Sequence, residues 1–307
     1  MRHSAYILQH THNPYWRPGL LGREEGQGVL AELVSIPTDG NPLDGVLYQP
    51  AVLQHDRCVQ FFHGNAMNFY VGPARFLPPA LLTEGFACLA YNRRGHDTLS
   101  TRNSREPEGN AFQTVEQAIA DNEYAAGWLE KRGYRAPGAI GHSNGGVLAA
   151  QHVTRHARTP ALVLMSAHCG GQRLAAVASR HGLLARDRLD ELTARARALV
   201  DDGKGDELLL LPGLWHVTSA ASFLDLLTET PDLLQLAPEI SCPTLFLRGD
   251  REPDELYPME EFQRRSGGPC DIATTEGGDH FYNGVADTVV EVVTRWLRDV
   301  LPAAPTA

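Results

Sequence analysis

The chain lacks an excess of positive charge, a paired set of cysteines, a long apolar run and a phosphate-binding glycine loop, and each absence removes a class of function. Its 307 residues hold 27 Lys and Arg against 37 Asp and Glu, a formal net charge of −10. A protein that grips nucleic-acid phosphates must displace counterions with a basic surface, so nucleic acid is excluded as a partner. Nowhere do eighteen apolar residues run together, and no membrane span is expected. Residues 1–22, MRHSAYILQHTHNPYWRPGLLG, lack the continuous apolar core of a secretory signal. The cysteines (Cys58, Cys88, Cys169, Cys242 and Cys270) are odd in number and scattered, with no C-x-x-C pair, which fits reduced thiols in a cytoplasmic protein. Cys58, Cys88 and Cys270 border or sit in apolar runs and are expected as small core residues. The glycines from Gly141 to Gly146 are followed by no G-K-S/T and lack dinucleotide spacing, so no phosphate cradle is expected.

What is present is an alternation of short apolar runs with helical periods. Residues 31–36 and 43–48 alternate apolar with polar around Pro37, Asp39, Gly40 and Asn41, as a hairpin does. Nearly continuous apolar runs follow at 58–62, 85–91, 136–140 and 161–165, the pattern of strands buried on both faces. Helical spacing separates them at 73–84, 110–132 and 144–157. Strand, helix, strand, helix implies an α/β fold with a mostly parallel central sheet of about eight strands flanked by helices. The pattern lapses over 170–240, a Leu-, Ala- and Arg-rich stretch with helical periodicity, and resumes with strands at 244–247 and 271–274 and a helix through Val289 to Leu297. The expected organisation is therefore a core of residues 1–169 and 241–307 carrying an inserted helical cap at 170–240. His168-Cys169-Gly170-Gly171 reads as the hinge into that cap, and 302–307 as a frayed tail.

Gly141-His142-Ser143-Asn144-Gly145 fits G-x-S-x-G, placed between a strand and a helix. A serine on so sharp a turn is held in strained backbone geometry, and the flanking glycines let neighbouring chain pass closely. The Asn144 N–H then lies at a helix N-terminus, suited to stabilising an oxyanion. A serine hydroxyl needs an imidazole to take its proton and a carboxylate to orient that imidazole. His280, in the Gly-rich loop Glu276-Gly277-Gly278-Asp279-His280-Phe281, is the candidate base. Behind the strand ending at Gly249, the carboxylates Asp250, Glu252, Asp254 and Glu255 compete for the acid; Glu252 ranks first, Asp254 second and Asp250 third. The loop His63-Gly64-Asn65-Ala66 offers the Asn65 N–H, or that of Ala66, as a second oxyanion donor.

With these markers the chain resembles the α/β-hydrolase superfamily: His63-Gly64 after one strand, Asn92-Arg93-Arg94-Gly95-His96-Asp97 after the next, the turn around Ser143, the carboxylates after Gly249, and Gly278-Asp279-His280. The resemblance implies a serine hydrolase acting on a small-molecule acyl substrate, with no metal and no organic cofactor. It also implies that Arg93 and Arg94 make salt bridges in their loop. Members commonly carry aspartate where Glu252 stands, which keeps Asp254 in contention.

A carboxylic ester is the expected substrate. A carbon–carbon bond hydrolase, a thioesterase or acyltransferase, and a non-catalytic small-molecule receptor stay open on the same fold. His63, Trp215 and Phe223 are the candidates for substrate contact, against the reading that apolar residues of the insertion form its own core. His152 and His156 stand four apart on a helix, but Val153 occupies the place of a metalloprotease glutamate, so they read as solvated histidines.

Overall fold

A computed structural model of the chain describes residues 30–302, apart from 53, 102–105 and 214–215. Ten strands and nine α-helices occur among the described residues: β1 (Leu30–Ile36), β2 (Leu43–Gln49), β3 (Cys58–Phe62), α1 (Pro73–Thr83), β4 (Ala87–Tyr91), α2 (Val115–Lys131), β5 (Gly138–His142), α3 (Asn144–Arg155), β6 (Leu162–Met165), α4 (Leu174–Arg180), α5 (Leu189–Asp201), β7 (Leu208–Leu211), β8 (His216–Ser219), α6 (Ala220–Glu229), α7 (Leu233–Leu236), β9 (Thr244–Gly249), α8 (Met259–Arg265), β10 (Cys270–Thr275) and α9 (Ala286–Val300). Eight strands form one sheet in the order β1-β2-β4-β3-β5-β6-β9-β10. Only the pairs β1/β2 and β2/β4 are antiparallel.

The apolar runs become strands because both faces of the sheet are covered, and side chains alternate between them. Val59 and Phe61 of β3, Ile140 of β5, and Val163 and Met165 of β6 meet α1 and α9 on one face. Phe62, Ala139, Leu162 and Leu164 meet α3, α7 and α8 on the other, where α2 covers the β1, β2 and β4 end through Ala125 and Leu129. Helix α2 starts at a reciprocal cap, in which Thr114 accepts from the Gln117 N–H and Gln117 accepts from the Thr114 N–H. Such a box satisfies two orphan donors and stabilises the helix by about 1 kcal/mol.

The stretch between β6 and β9 buries Leu174, Leu192, Leu209, Leu211 and Phe223 in a separate cluster shared with Leu256 and Tyr257 from the segment after β9. It is not purely helical. Leu208–Leu211, which helical periodicity had absorbed, pairs antiparallel with His216–Ser219. Pro212 and Gly213 end the leucine run before a helix can form, and the leucines then alternate, Leu209 and Leu211 inward, Leu208 and Leu210 outward. The stretch enters and leaves the sheet at one point, where Gly170 bridges Asp232 and both Gly170 and Gly171 have positive φ. All five cysteines are free; four are buried and Cys270 is partly exposed.

Candidate active site

Ser143 caps the N-terminus of α3 with φ 58° and ψ −127°, a conformation that a side chain adopts at a cost of roughly 1–3 kcal/mol. The turn exists only because its neighbours have no side chains. A Cβ on Gly145 would lie 2.1 Å from the Phe62 carbonyl oxygen, and one on Gly141 would lie 2.3 Å from that of Gly145. Close passage of β3 and α3 brings the loop after β3 to the serine: a Cβ on Gly64 would be 3.0 Å from the Ser143 Cβ. Asn144 opens α3, so its N–H has no carbonyl within the helix to bind. The Asn65 N–H has no hydrogen-bond acceptor among the described residues. Both candidate oxyanion donors therefore flank Ser143.

A second close passage positions His280. Gly249, ending β9, lies against Gly278, where a Cβ would meet the carbonyl oxygen at 2.3 Å. The loop beyond Gly278 is folded by Asp279, which accepts from the N–H groups of Phe281 and Asn283 and from the Asn283 side chain. His280 is thereby presented with Nε2 3.0 Å from Ser143 Oγ and Nδ1 2.7 Å from Glu252 Oε1. The carboxylate accepts the Nδ1 proton, leaving Nε2 bare to accept the serine hydroxyl's.

Glu252 is buried, and its other oxygen accepts from Ser166 Oγ at 2.5 Å and from the Gly249 N–H at 3.0 Å. Ser166 has a single proton, which goes to Glu252; its oxygen lies 2.7 Å from the Tyr282 hydroxyl, whose one proton is shared between Ser166 Oγ and the Leu247 carbonyl oxygen at 3.2 Å. Burial holds the Tyr282 phenol well above its ordinary range, so it stays a donor. Asp254 is 80% exposed and pairs with Arg248 instead. Asp250 is exposed as well.

Two further histidines stand behind the site. His142 donates from Nε2 to the His280 carbonyl oxygen at 2.7 Å, with Nδ1 facing the Met67 sulfur. Burial, and then the neighbouring His280, push its pKa down to about 3, so the ring is neutral. His168 accepts the Gly170 N–H on Nδ1 and is lowered to about 3 by burial and by His280. The Tyr257 ring lies 5.4 Å from that of His280, and Phe281 meets His280 edge-on at 5.2 Å.

The pocket expectations fare differently. His63 is buried and spends both ring nitrogens on backbone, Nε2 accepting from the Arg93 N–H and Nδ1 bonding the Gly64 carbonyl, so it holds the loop and has no nitrogen left for substrate. Phe223 is fully buried in the cluster that residues 174–223 share with Leu256 and Tyr257, because α6 turns its apolar face inward. Trp215 lies outside the described residues. Arg94 makes the expected ion pair, with Asp121 and more distantly Asp39. Arg93 does not: it donates to the His63 carbonyl, and its Nε and Nη1 have no partner among the described residues. Ser166, Tyr282 and His142 were not singled out in the sequence. His142 carried a signal, as the residue before Ser143, whereas Ser166 looks like any serine after a strand.

Comparison with known proteins agrees with this architecture. The ferulic-acid-bound structure of Est1E from Butyrivibrio proteoclasticus superposes with a TM-score of 0.68 at 17% identity, covering 88% of this chain and all of that one. The alpha/beta hydrolase GrgF from Penicillium sp. sh18 gives 0.67 at 15% identity over 89% of this chain and 99% of its own. The Pyrococcus furiosus esterase Pf2001 gives 0.58 at 17% identity, over 88% and 93%. Comparison with curated protein sequences gave no match. Residues 61–292, from β3 into α9, match the sequence model of the alpha/beta hydrolase family, and the chain belongs to that family.

Proposed function

We propose that this protein is a serine esterase that hydrolyses a small carboxylic ester or closely related acyl compound through an acyl-enzyme. The observation that carries the reading is the unbroken hydrogen-bond chain from Ser143 through His280 to Glu252. Ser143 Oγ attacks the carbonyl carbon as His280 Nε2 takes its proton, and Glu252 stabilises the imidazolium that forms. The N–H groups of Asn144 and Asn65 receive the oxyanion, a contribution worth roughly 10²–10³ in turnover for each donor. The tetrahedral adduct collapses, the alcohol leaves with the proton from His280, and water activated by the same nitrogen hydrolyses the acyl-serine. No cofactor enters this sequence of steps. Residues 170–240 act as the cap that shields the acyl group from water. Esterases among proteins of this fold, one holding ferulic acid, are in line with an acyl substrate of this size.

The test is a fluorophosphonate probe on the purified protein, with the adduct mapped by mass spectrometry. One adduct on Ser143, absent from His280→Ala, is the expected result. A folded protein that takes no adduct would refute the reading.

A further inference from the structure

Outside the candidate active site, one cluster of side chains is built for an ion. Glu123 on α2 faces His152 on α3 and His156 just past its end. His152 Nδ1 lies 3.0 Å from Glu123 Oε1 and His156 Nε2 2.6 Å from Oε2. One ligand atom from each of the three lies within 4.8 Å of the others, and no other such group occurs among the described residues. The spacing expectation is corrected here. His152 is 8% exposed, not solvated, and the third polar group comes from the neighbouring helix instead of position 153.

The cluster is held in place from three sides. The i, i+4 spacing stacks the two imidazoles with centroids 4.0 Å apart. His152 also packs against Phe62, whose strand leads into the oxyanion loop. Next to Glu123, Asn122 is buried and fixed to the sheet, its carbonyl accepting from Gln60 and its side chain from Tyr91.

We infer that Glu123, His152 and His156 bind a zinc ion that staples α2 to α3. Two imidazole nitrogens and a carboxylate oxygen are a donor set for zinc and not for magnesium or calcium, which prefer all-oxygen shells. His156 is half-exposed, which leaves water access to a fourth position. With zinc–ligand bonds of about 2.0–2.2 Å, tetrahedral ligand atoms lie about 3.3 Å apart, so the hydrogen-bonded pairs open by less than about 1 Å and any wider pair, at most 4.8 Å, closes by no more than about 1.5 Å. Ligation uses the ring nitrogen that now faces Glu123, so with zinc bound each imidazole carries its proton on the far nitrogen. His152 is nine residues along α3 from Ser143, about 13 Å at 1.5 Å per residue, so this ion takes no part in acyl chemistry.

The test is a titration of tag-free, metal-stripped protein with zinc chloride against a chromophoric chelator, followed by thermal unfolding with and without zinc. The parent is expected to bind one zinc tightly and to melt at higher temperature with it. His156→Ala and Glu123→Gln, both at partly exposed positions, should each weaken binding at least about tenfold, as losing even an outer-shell partner does. Both should lose the zinc-dependent rise in Tm while keeping the parental circular dichroism without metal. Absence of saturable binding by the parent, or parental affinity in either variant, overturns the proposal.

Discussion

Replacing Glu252 by glutamine changes one atom of the candidate triad, and the structure dictates which way the new amide faces. The two carboxylate oxygens have different duties: Oε1 accepts from His280 Nδ1, while Oε2 accepts from Ser166 Oγ and from the Gly249 N–H. Glutamine keeps one oxygen. The Gly249 N–H is a backbone donor that cannot turn, so the oxygen goes to it and the amide nitrogen faces His280. Two N–H groups cannot face each other in a buried site, and the imidazole must move its proton to Nε2. That nitrogen then points a hydrogen at Ser143 Oγ and can take no proton from it. A triad locked in the wrong tautomer loses about 10⁴ in kcat, which is about 5.5 kcal/mol of barrier. Asp254→Asn removes only an exposed partner of Arg248, so its activity should stay within about twofold of the parent. Steady-state kinetics on a p-nitrophenyl ester near neutral pH, with circular dichroism to verify folding, measures both. If Glu252→Gln kept more than about a tenth of the parental kcat, or Asp254→Asn fell as far as Glu252→Gln, the acid would be misassigned.

Two more outcomes follow from the buried polar groups. His142 and His168 fall from an ordinary value of 6.5 to about 3 on folding, so below pH 6.5 the unfolded chain binds protons that the folded one refuses. Their contribution to stability is complete above pH 6.5 and is lost as pH falls toward about 3; by pH 5 each has cost about 2 kcal/mol. Urea midpoints at pH 7 and pH 5 should differ accordingly, and His142→Gln should shrink the difference; identical midpoints in the parent would contradict the assigned burial. Ser166→Ala removes a donor to a charged oxygen, a bond worth about 1.5–3 kcal/mol, so kcat should fall about 10- to 100-fold. Because Ser166 acts only through Glu252, KM should be unchanged, and a raised KM at full kcat would place Ser166 in substrate binding instead.

The parts of the fold that were legible are those where burial leaves a periodic record. Strands β3 to β6 sit between two layers of helices, so their residues are nearly all apolar and cannot be taken for an exposed segment. Helix α2 was legible by its spacing, but spacing alone starts it too early, at 110, where the Thr114–Gln117 cap begins it at Val115. The ribbon of β7 and β8 left no comparable record. Four consecutive leucines satisfy any period, and what makes them a strand is pairing with His216–Ser219 together with the break at Pro212 and Gly213.

Ser143 and His280 stood out as candidates because each sits in a motif that backbone geometry imposes, whereas Glu252 was only ranked ahead of Asp254 and Asp250, because what sets it apart comes from residues remote in sequence. As a string, Asp250, Glu252, Asp254 and Glu255 can be ranked but not separated. Glu252 alone is drawn inward, since Ser166 at the end of β6 and the Gly249 N–H at the end of β9 both donate to it. Those two groups are adjacent only through the sheet order β5-β6-β9-β10, which lines up the C-terminal ends of strands far apart in the chain. The same crowding explains Gly249 and Gly278. Each glycine is visible in the sequence, but that they touch, and so hold the His280 loop against Glu252, is a property of the sheet. Pocket residues carry even less local signal, as His63 and Phe223 show. An aromatic or histidine in a suitable segment can face a cleft or a core with the same neighbours in sequence, and here the Gly64 loop and the apolar face of α6 turned both inward.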